Sequence, residues 1–260
     1  MNQFAPPYVQ PKQPPSPRII VALTTLDGRL VRTKKFSAPR YVGDPMNAVK
    51  LFSGKGADEL VLLEIGKQPF DSRREEAIRN IATEAFMPIS YGGGIRTIEH
   101  IRSVIRCGFE KVVLNSGLHI TPTLAKRAAD EFGSQAIMAS MEVAQSWLRG
   151  VHVRTNCGRK SARPKPVEWA KRCEEMGCGE LMVTFIEQDG LMDGYDCDLL
   201  AQIAGTVSIP VIALGGAGTI EHLKDGLAAG ATAVAAGSMF VFHGPRRAVL
   251  INYPDSQRIF

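Results

Sequence analysis

Long hydrophobic runs are missing from this 260-residue chain. No apolar stretch approaches the roughly 18–20 residues that a membrane-spanning helix needs, so a helical membrane protein is excluded. The opening, MNQFAPPYVQPKQPPSP, lacks the apolar core of a secretory signal. It is polar, rich in proline and precedes the first apolar run at Ile19, so residues 1–17 are expected to be a disordered or polyproline-like tail with no partner of its own. No CxxC occurs. The five cysteines, Cys107, Cys157, Cys173, Cys178 and Cys197, are an odd number. They offer neither a disulfide framework nor a zinc site, and a reducing cytoplasm is the expected location. No metal and no cofactor is expected. Also missing is the array of aromatic and basic residues that single-stranded nucleic acid requires. The net charge of +5 suits an anionic small molecule at least as well as nucleic acid.

What is present is ordinary globular composition, 45% hydrophobic and 22% charged. Short β-branched or apolar runs alternate with amphipathic stretches. The predicted strands are RIIVALT (18–24), ELVLLEI (59–65), PISYG (88–92), KVVLN (111–115), AIMASME (136–142), ELMVTF (180–185), PVIALG (210–215) and TAVAAG (232–237). Helical patterns fall between them. Asp44 precedes Pro45 as a helix cap, and Asp71 is placed to cap the next helix. Eight strands, each followed by a helix or nearly so, predict a single (β/α)8 TIM barrel over residues 18–260. A doubly wound open sheet is the alternative, because strand count does not show closure.

The chain also repeats itself. GGGIRTIEH at Gly92 is echoed by LGGAGTIEH at Leu214, and the offset of 122 residues extends from Pro88–Ser116 onto Pro210–Ser238. Gly93 and Gly94 lie over Gly215 and Gly216, Gly108 over Gly230, and Ser116 over Ser238. Glu59 lies over Glu180 one strand earlier. The repeating unit is about four βα units, so the barrel is expected to consist of two homologous half-barrels.

In a TIM barrel the loops after the strands form the active site. Both glycine-rich loops fall there, and each leads into a helix start. Glycines let backbone N–H groups approach an anion closely, and a helix start turns further N–H groups towards it. The following strands end in Asn115-Ser116 and Gly237-Ser238, which supply amide and hydroxyl donors. Each half is therefore predicted to hold one phosphate, and two such sites imply a substrate phosphorylated at both ends. The alternative is that these glycines only make tight turns.

The ordered set RIIVALTTLDGRLVR, YVGDP, ADELVLLEI, YGGGIRT, KVVLNS, EFGSQA, GELMVT, DGLMDGYD and IPVIALGGAG resembles the HisF family, the cyclase subunit of imidazole glycerol phosphate synthase, from Arg18 to about Phe242. The resemblance implies two phosphate sites and a separate, HisH-like glutaminase at the N-terminal face that supplies ammonia. It puts one phosphate at Gly94, Asn115 and Ser116, with Asp189 and Gly190 nearby, and the other at Gly216, Gly237 and Ser238. The family reaction adds ammonia to a bisphosphorylated formimino-ribulosyl aminoimidazole carboxamide, using two aspartates at the ends of strands one and five. Here those positions are Thr24 and Glu142. A hydroxyl does not titrate near neutral pH, so Thr24 cannot replace an acid. Glu142 can, from a longer stem. A catalytic set of Glu142, Thr24 and Asp189 follows. The basic loop LDGRLVRTKKFSAPRYVGD, with Arg29 and Arg32, resembles the family's mobile loop; Arg32 stands where the family has a lysine.

Arg18, Glu59, Lys111 and Glu180 match a ring of charges at the bottom of the family's barrel that gates ammonia. A static salt-bridge plug is the other reading, since that face usually serves stability. The resemblance implies an ammonia-using synthase subunit with a bisphosphorylated or nucleotide-sugar ligand. The loss of the first aspartate and the ending VFHGPRRAVLINYP resemble paralogues that make amidino-sugars for surface glycans such as lipopolysaccharide. The alternatives are the histidine-pathway cyclase, a non-catalytic barrel that activates a glutaminase, and a related sugar-phosphate isomerase of the same fold.

Overall fold

The computed structural model describes residues 17–147, 150–254 and 259. The tail expected over residues 1–17 therefore lies, but for Pro17, outside the described residues. Eight parallel strands close on themselves: β1 (Arg18–Leu26), β2 (Glu59–Glu64), β3 (Ile89–Gly92), β4 (Lys111–Leu114), β5 (Ile137–Ser146), β6 (Glu180–Phe185), β7 (Val211–Leu214) and β8 (Ala233–Ala236). Each pairs with its neighbour in sequence, and β8 returns to β1 with Ile19 beside Val234. Closure rules out the open doubly wound sheet and gives the (β/α)8 barrel that the alternating pattern predicts.

The strands are buried on both faces, so they read as nearly continuous apolar runs. One face of each strand fills the barrel: Ile20, Ala22, Val61, Val113, Met138, Met182, Ile212, Ala233 and Ala235 form one cluster. The other face, including Ile19, Val21, Leu60 and Leu62, packs under the surrounding helices. These are α1 (Pro45–Gly54), α2 (Ser72–Ala82), α3 (Ile98–Arg106), α4 (Thr123–Phe132), α5 (Pro166–Glu175), α6 (Cys197–Ala204) and α7 (Ile220–Ala228). Asp44 and Asp71 cap α1 and α2, accepting from Asn47 N and Arg74 N, as their positions before each helix predict. Among the described residues no helix is long and apolar enough to cross a membrane.

The repeat holds in backbone detail. Thr97 caps α3 at φ −132°, ψ 162°, and Thr219 caps α7 at φ −136°, ψ 168°, each accepting from the N–H three residues on. Gly108 and Gly230 leave those helices at φ +101° and +99°, a conformation that side chains with a Cβ disfavour.

Three features depart from the sequence expectation. The basic stretch after β1 is not an irregular loop. Arg29–Lys34 folds back on β1 and Ser37–Gly43 pairs with it, making an antiparallel hairpin. β5 likewise runs past Glu142 to Ser146 and pairs with Gly150–Thr155. Each half-barrel thus opens with a strand that overshoots the barrel rim and turns back. Finally, among the described residues the one helix after β8 is four residues long, Ser238–Val241. The chain then crosses to the bottom of the barrel, where Tyr253 Oη donates to Ile19 O and accepts from Asp58 N, both at 3.0 Å.

Candidate active site at the barrel mouth

Inward-pointing residues at the strand ends and the loops after them enclose a cavity of about 670 Å³. Thr24, Gly93, Gly94, Asn115, Ser116, Glu142 and Asp189 all line it. The turn that follows β3 brings Gly94 close to α2; a Cβ there would lie 3.1 Å from Arg74 Nη1. Both polar ends of the Asn115 amide are buried without a well-formed hydrogen bond. Ser116 Oγ accepts from Asn156 N at 3.0 Å, so the second hairpin braces the serine from above. The Asn115 amide, which also lies near enough to Glu142 to bear on its carboxyl, together with the glycine N–H groups and Arg74 makes a donor-rich corner that suits an anion.

Glu142 lines the same cavity. It is 9% exposed and its Oε2 accepts from Gly158 N at 2.7 Å. Burial pushes its carboxyl up to about 7, against the opposing pull of the Gly158 N–H and of Arg154 and Arg159. A carboxyl in that range exchanges a proton near neutral pH. Cys157 lines the same cavity, but burial and the nearby Glu142 hold its thiol at about 11, so it is not a thiolate nucleophile.

The other half of the mouth is different. Gly190, Gly215, Gly216, Gly237 and Ser238 surround a space of only about 10 Å³, together with Arg32 and Asp189. Arg32 is 6% exposed. Its Nη1 donates to Ala22 O at 2.8 Å, and a Cβ at Gly237 would meet its Nη2 at 1.9 Å. The guanidinium therefore lies against the Gly237 backbone. Asp189 Oδ2 accepts from Thr33 Oγ1 at 2.8 Å; burial raises its carboxyl, with Arg32 partly offsetting that. Arg247, from the segment after β8, donates to Gly190 O and Leu191 O at 2.8 and 3.0 Å and fixes this loop.

At the opposite end of the barrel four charges close a cycle. Arg18 pairs with Glu59 and with Glu180, and Lys111 Nζ reaches Glu59 at 3.0 Å and Glu180 at 2.8 Å. The two carboxylates are 2% and 5% exposed. Each touches both cations, which offsets the cost of burying it. Above this ring lie the apolar side chains of the barrel interior.

The family model described as "Histidine biosynthesis protein" matches residues 18–245. A Pseudomonas aeruginosa protein, provisionally named imidazole glycerol phosphate synthase subunit hisF2, is 43% identical over 93% of this chain and 97% of its own length. The imidazole glycerol phosphate synthase subunit HisF of Endomicrobium trichonymphae is 39% identical over 86% of both chains. The chain belongs to the HisF family. A Vibrio vulnificus relative, provisionally named subunit hisF3, is 37% identical over 92% of this chain and 93% of its own.

For this HisF-family chain the structure gathers most of the expected residues but regroups two. Gly190 lies with Gly215, Gly216, Gly237 and Ser238, not beside Gly94, Asn115 and Ser116, because the loop after β6 leans towards β7 and β8. Asp189 faces both spaces. Arg32 turns into the mouth and is buried, whereas Arg29 stays exposed at the start of its hairpin strand. Sequence reasoning missed Asn156, Arg74 and Arg159. The first reaches Ser116 only through the second hairpin, of which the sequence predicts the first strand as far as Glu142 and not its extension or the returning strand. Arg74 carried a signal, since it lies in the first turn of the helix that follows a loop at the mouth.

Proposed function

We propose that this chain is the ammonia-using synthase subunit of a glutamine amidotransferase, working on a phosphorylated small molecule as a paralogue for amidino-sugar synthesis. The observation that carries the reading is Glu142. Of the two strand-end positions where the family has acids, only this one can titrate, and it is held near 7 beside a cavity with anion donors. One group that exchanges its proton near neutral pH suits the addition of an amine to a polarised carbon and the collapse of the adduct. Thr24 supplies a hydroxyl for orientation and no second acid. The numbered names hisF2 and hisF3 among the relatives support a role beside the histidine-pathway enzyme.

A separate glutaminase would dock on the N-terminal face, over the ring of Arg18, Glu59, Lys111 and Glu180. Neutral ammonia, once past that ring, would meet an apolar interior lined by residues such as Ala22, Ala233 and Ala235. Residues Gly93, Gly94, Asn115 and Ser116 would hold the substrate phosphate. The histidine-pathway reaction is the second reading, supported by the names of relatives such as the Endomicrobium HisF.

The two separate in one assay: the purified chain, the histidine-pathway bisphosphate, and excess ammonium at mildly basic pH. No imidazole glycerol phosphate should form. Steady turnover would overturn the paralogue reading and return the chain to histidine biosynthesis.

A further inference from the structure

The sequence repeat gives both halves of the mouth the same glycine and serine positions, yet the space in front of them differs. In the N-terminal half, Gly94, Asn115 and Ser116 face the 670 Å³ cavity. In the C-terminal half, the matching Gly216, Gly237 and Ser238 face about 10 Å³. That is room for a single water molecule, and a phosphate, with four oxygens about phosphorus, is several times larger. Two groups crowd that side: the loop after β6, whose Gly194 N donates to Gly216 O at 2.9 Å, and the side chain of Arg32. Its guanidinium rests on the Gly237 backbone and is tethered there by the bond to Ala22 O. Asp189 lies near enough to stabilise the charge.

Two observations support an anion site behind it. Ser238 Oγ is buried, lines the small space and has no hydrogen-bond partner. The loop opposite supplies Gly215 and Gly216 at φ +92° and +124°, where Gly216 comes so close to Gly194 O that no Cβ would fit. These are the counterparts of the open half. Arg32 is fully inserted, unlike a surface cation that waits to meet a phosphate, and one of its N–H groups is committed to a main-chain carbonyl.

We infer that Arg32 is a specificity-determining residue that fills the second phosphate site with a resident guanidinium, so that this chain takes a substrate with a phosphate group at one end only. The end that reaches the Arg32 side is unphosphorylated and polar, able to accept from the remaining guanidinium N–H groups. This deepens the proposed function and rests on its reading of the Asn115 side as a phosphate site.

The test counts inorganic phosphate bound per chain, by ³¹P NMR titration of the full chain and its variants. The wild type should bind one equivalent, lost in Asn115→Ala and kept in Ser238→Ala. Arg32→Ala should gain a second equivalent, and Arg32→Ala/Ser238→Ala should lose it again. That gain runs against the removal of a positive charge, so bulk electrostatics cannot produce it. Arg32→Ala/Asp189→Asn should gain it at least as well, since it also removes the carboxylate left unpaired. Two equivalents in the wild type, one of them lost in Ser238→Ala, would show that Arg32 moves aside or acts as a ligand, and would overturn the inference. So would no gain in either Arg32 variant. A wild type that binds none, with a Ser238-dependent gain in Arg32→Ala, would remove the Asn115 site from the proposed function and leave the closure by Arg32 standing.

Discussion

Replacing Glu142 by glutamine removes a titration that folding itself creates. The carboxyl is at about 7 in the folded chain and near 4.5 when exposed. Between those values the folded chain holds a proton that the unfolded chain has released. The stability associated with this group is therefore complete below about pH 4.5 and lost as pH rises through about 7. At about 1.4 kcal/mol per pH unit the whole window amounts to roughly 3 kcal/mol, of which about 2–3 kcal/mol falls between pH 5 and pH 8. Glutamine has nearly the same shape, its carbonyl can accept the Gly158 N–H, and it does not titrate. Urea unfolding of both proteins at pH 5 and pH 8 isolates this contribution, because every other titrating group is common to them. The wild type should lose about 2–3 kcal/mol more than Glu142→Gln over that step. The variant should also have lost turnover while phosphate affinity stays nearly intact. An equal pH dependence in both proteins would refute the argument, since Glu142 would then titrate as a solvated carboxyl.

Lys111→Met should leave Glu59 and Glu180 facing each other with Arg18 as the remaining ring cation, and should cost about 3–5 kcal/mol in urea unfolding. A loss below about 1 kcal/mol would mean that water already solvates the ring. Tyr253→Phe removes one hydroxyl that joins Ile19 O to Asp58 N and should cost about 1–3 kcal/mol. Unchanged stability in that variant would show that the segment after β8 does not clamp the start of β1.

The barrel was legible because its strands are buried on both faces and its helices carry capping residues, so the alternation survives without knowledge of any contact. The repeat was legible for a related reason: Thr97 and Thr219 must cap helices at the same place in each half, and their neighbours match. The second hairpin was not legible. β5 stops being apolar after Ala144, and its partner strand, GVHVRT, reads as an ordinary polar loop until the two are seen paired. The missing long helix after β8 was hidden similarly, since Tyr253 replaces helix packing with two hydrogen bonds to distant main chain. Among site residues, the glycines and strand-end side chains could be assigned because their positions follow from fold and repeat. The inward turn of Arg32 could not. It depends on the twist of a hairpin and on an empty space beside Gly237, and neither has a local sequence mark.

Tyr253 also ties the segment after β8 to the start of β1. Its bond to Ile19 O brings the last described stretch beside the first residues of β1, and Arg18 belongs to the ring of charges at that same end. Arg18, the first residue of β1, therefore stands at the rim of that end. The bond that Tyr253 makes and the ring that Arg18 joins therefore meet at the start of one strand, β1.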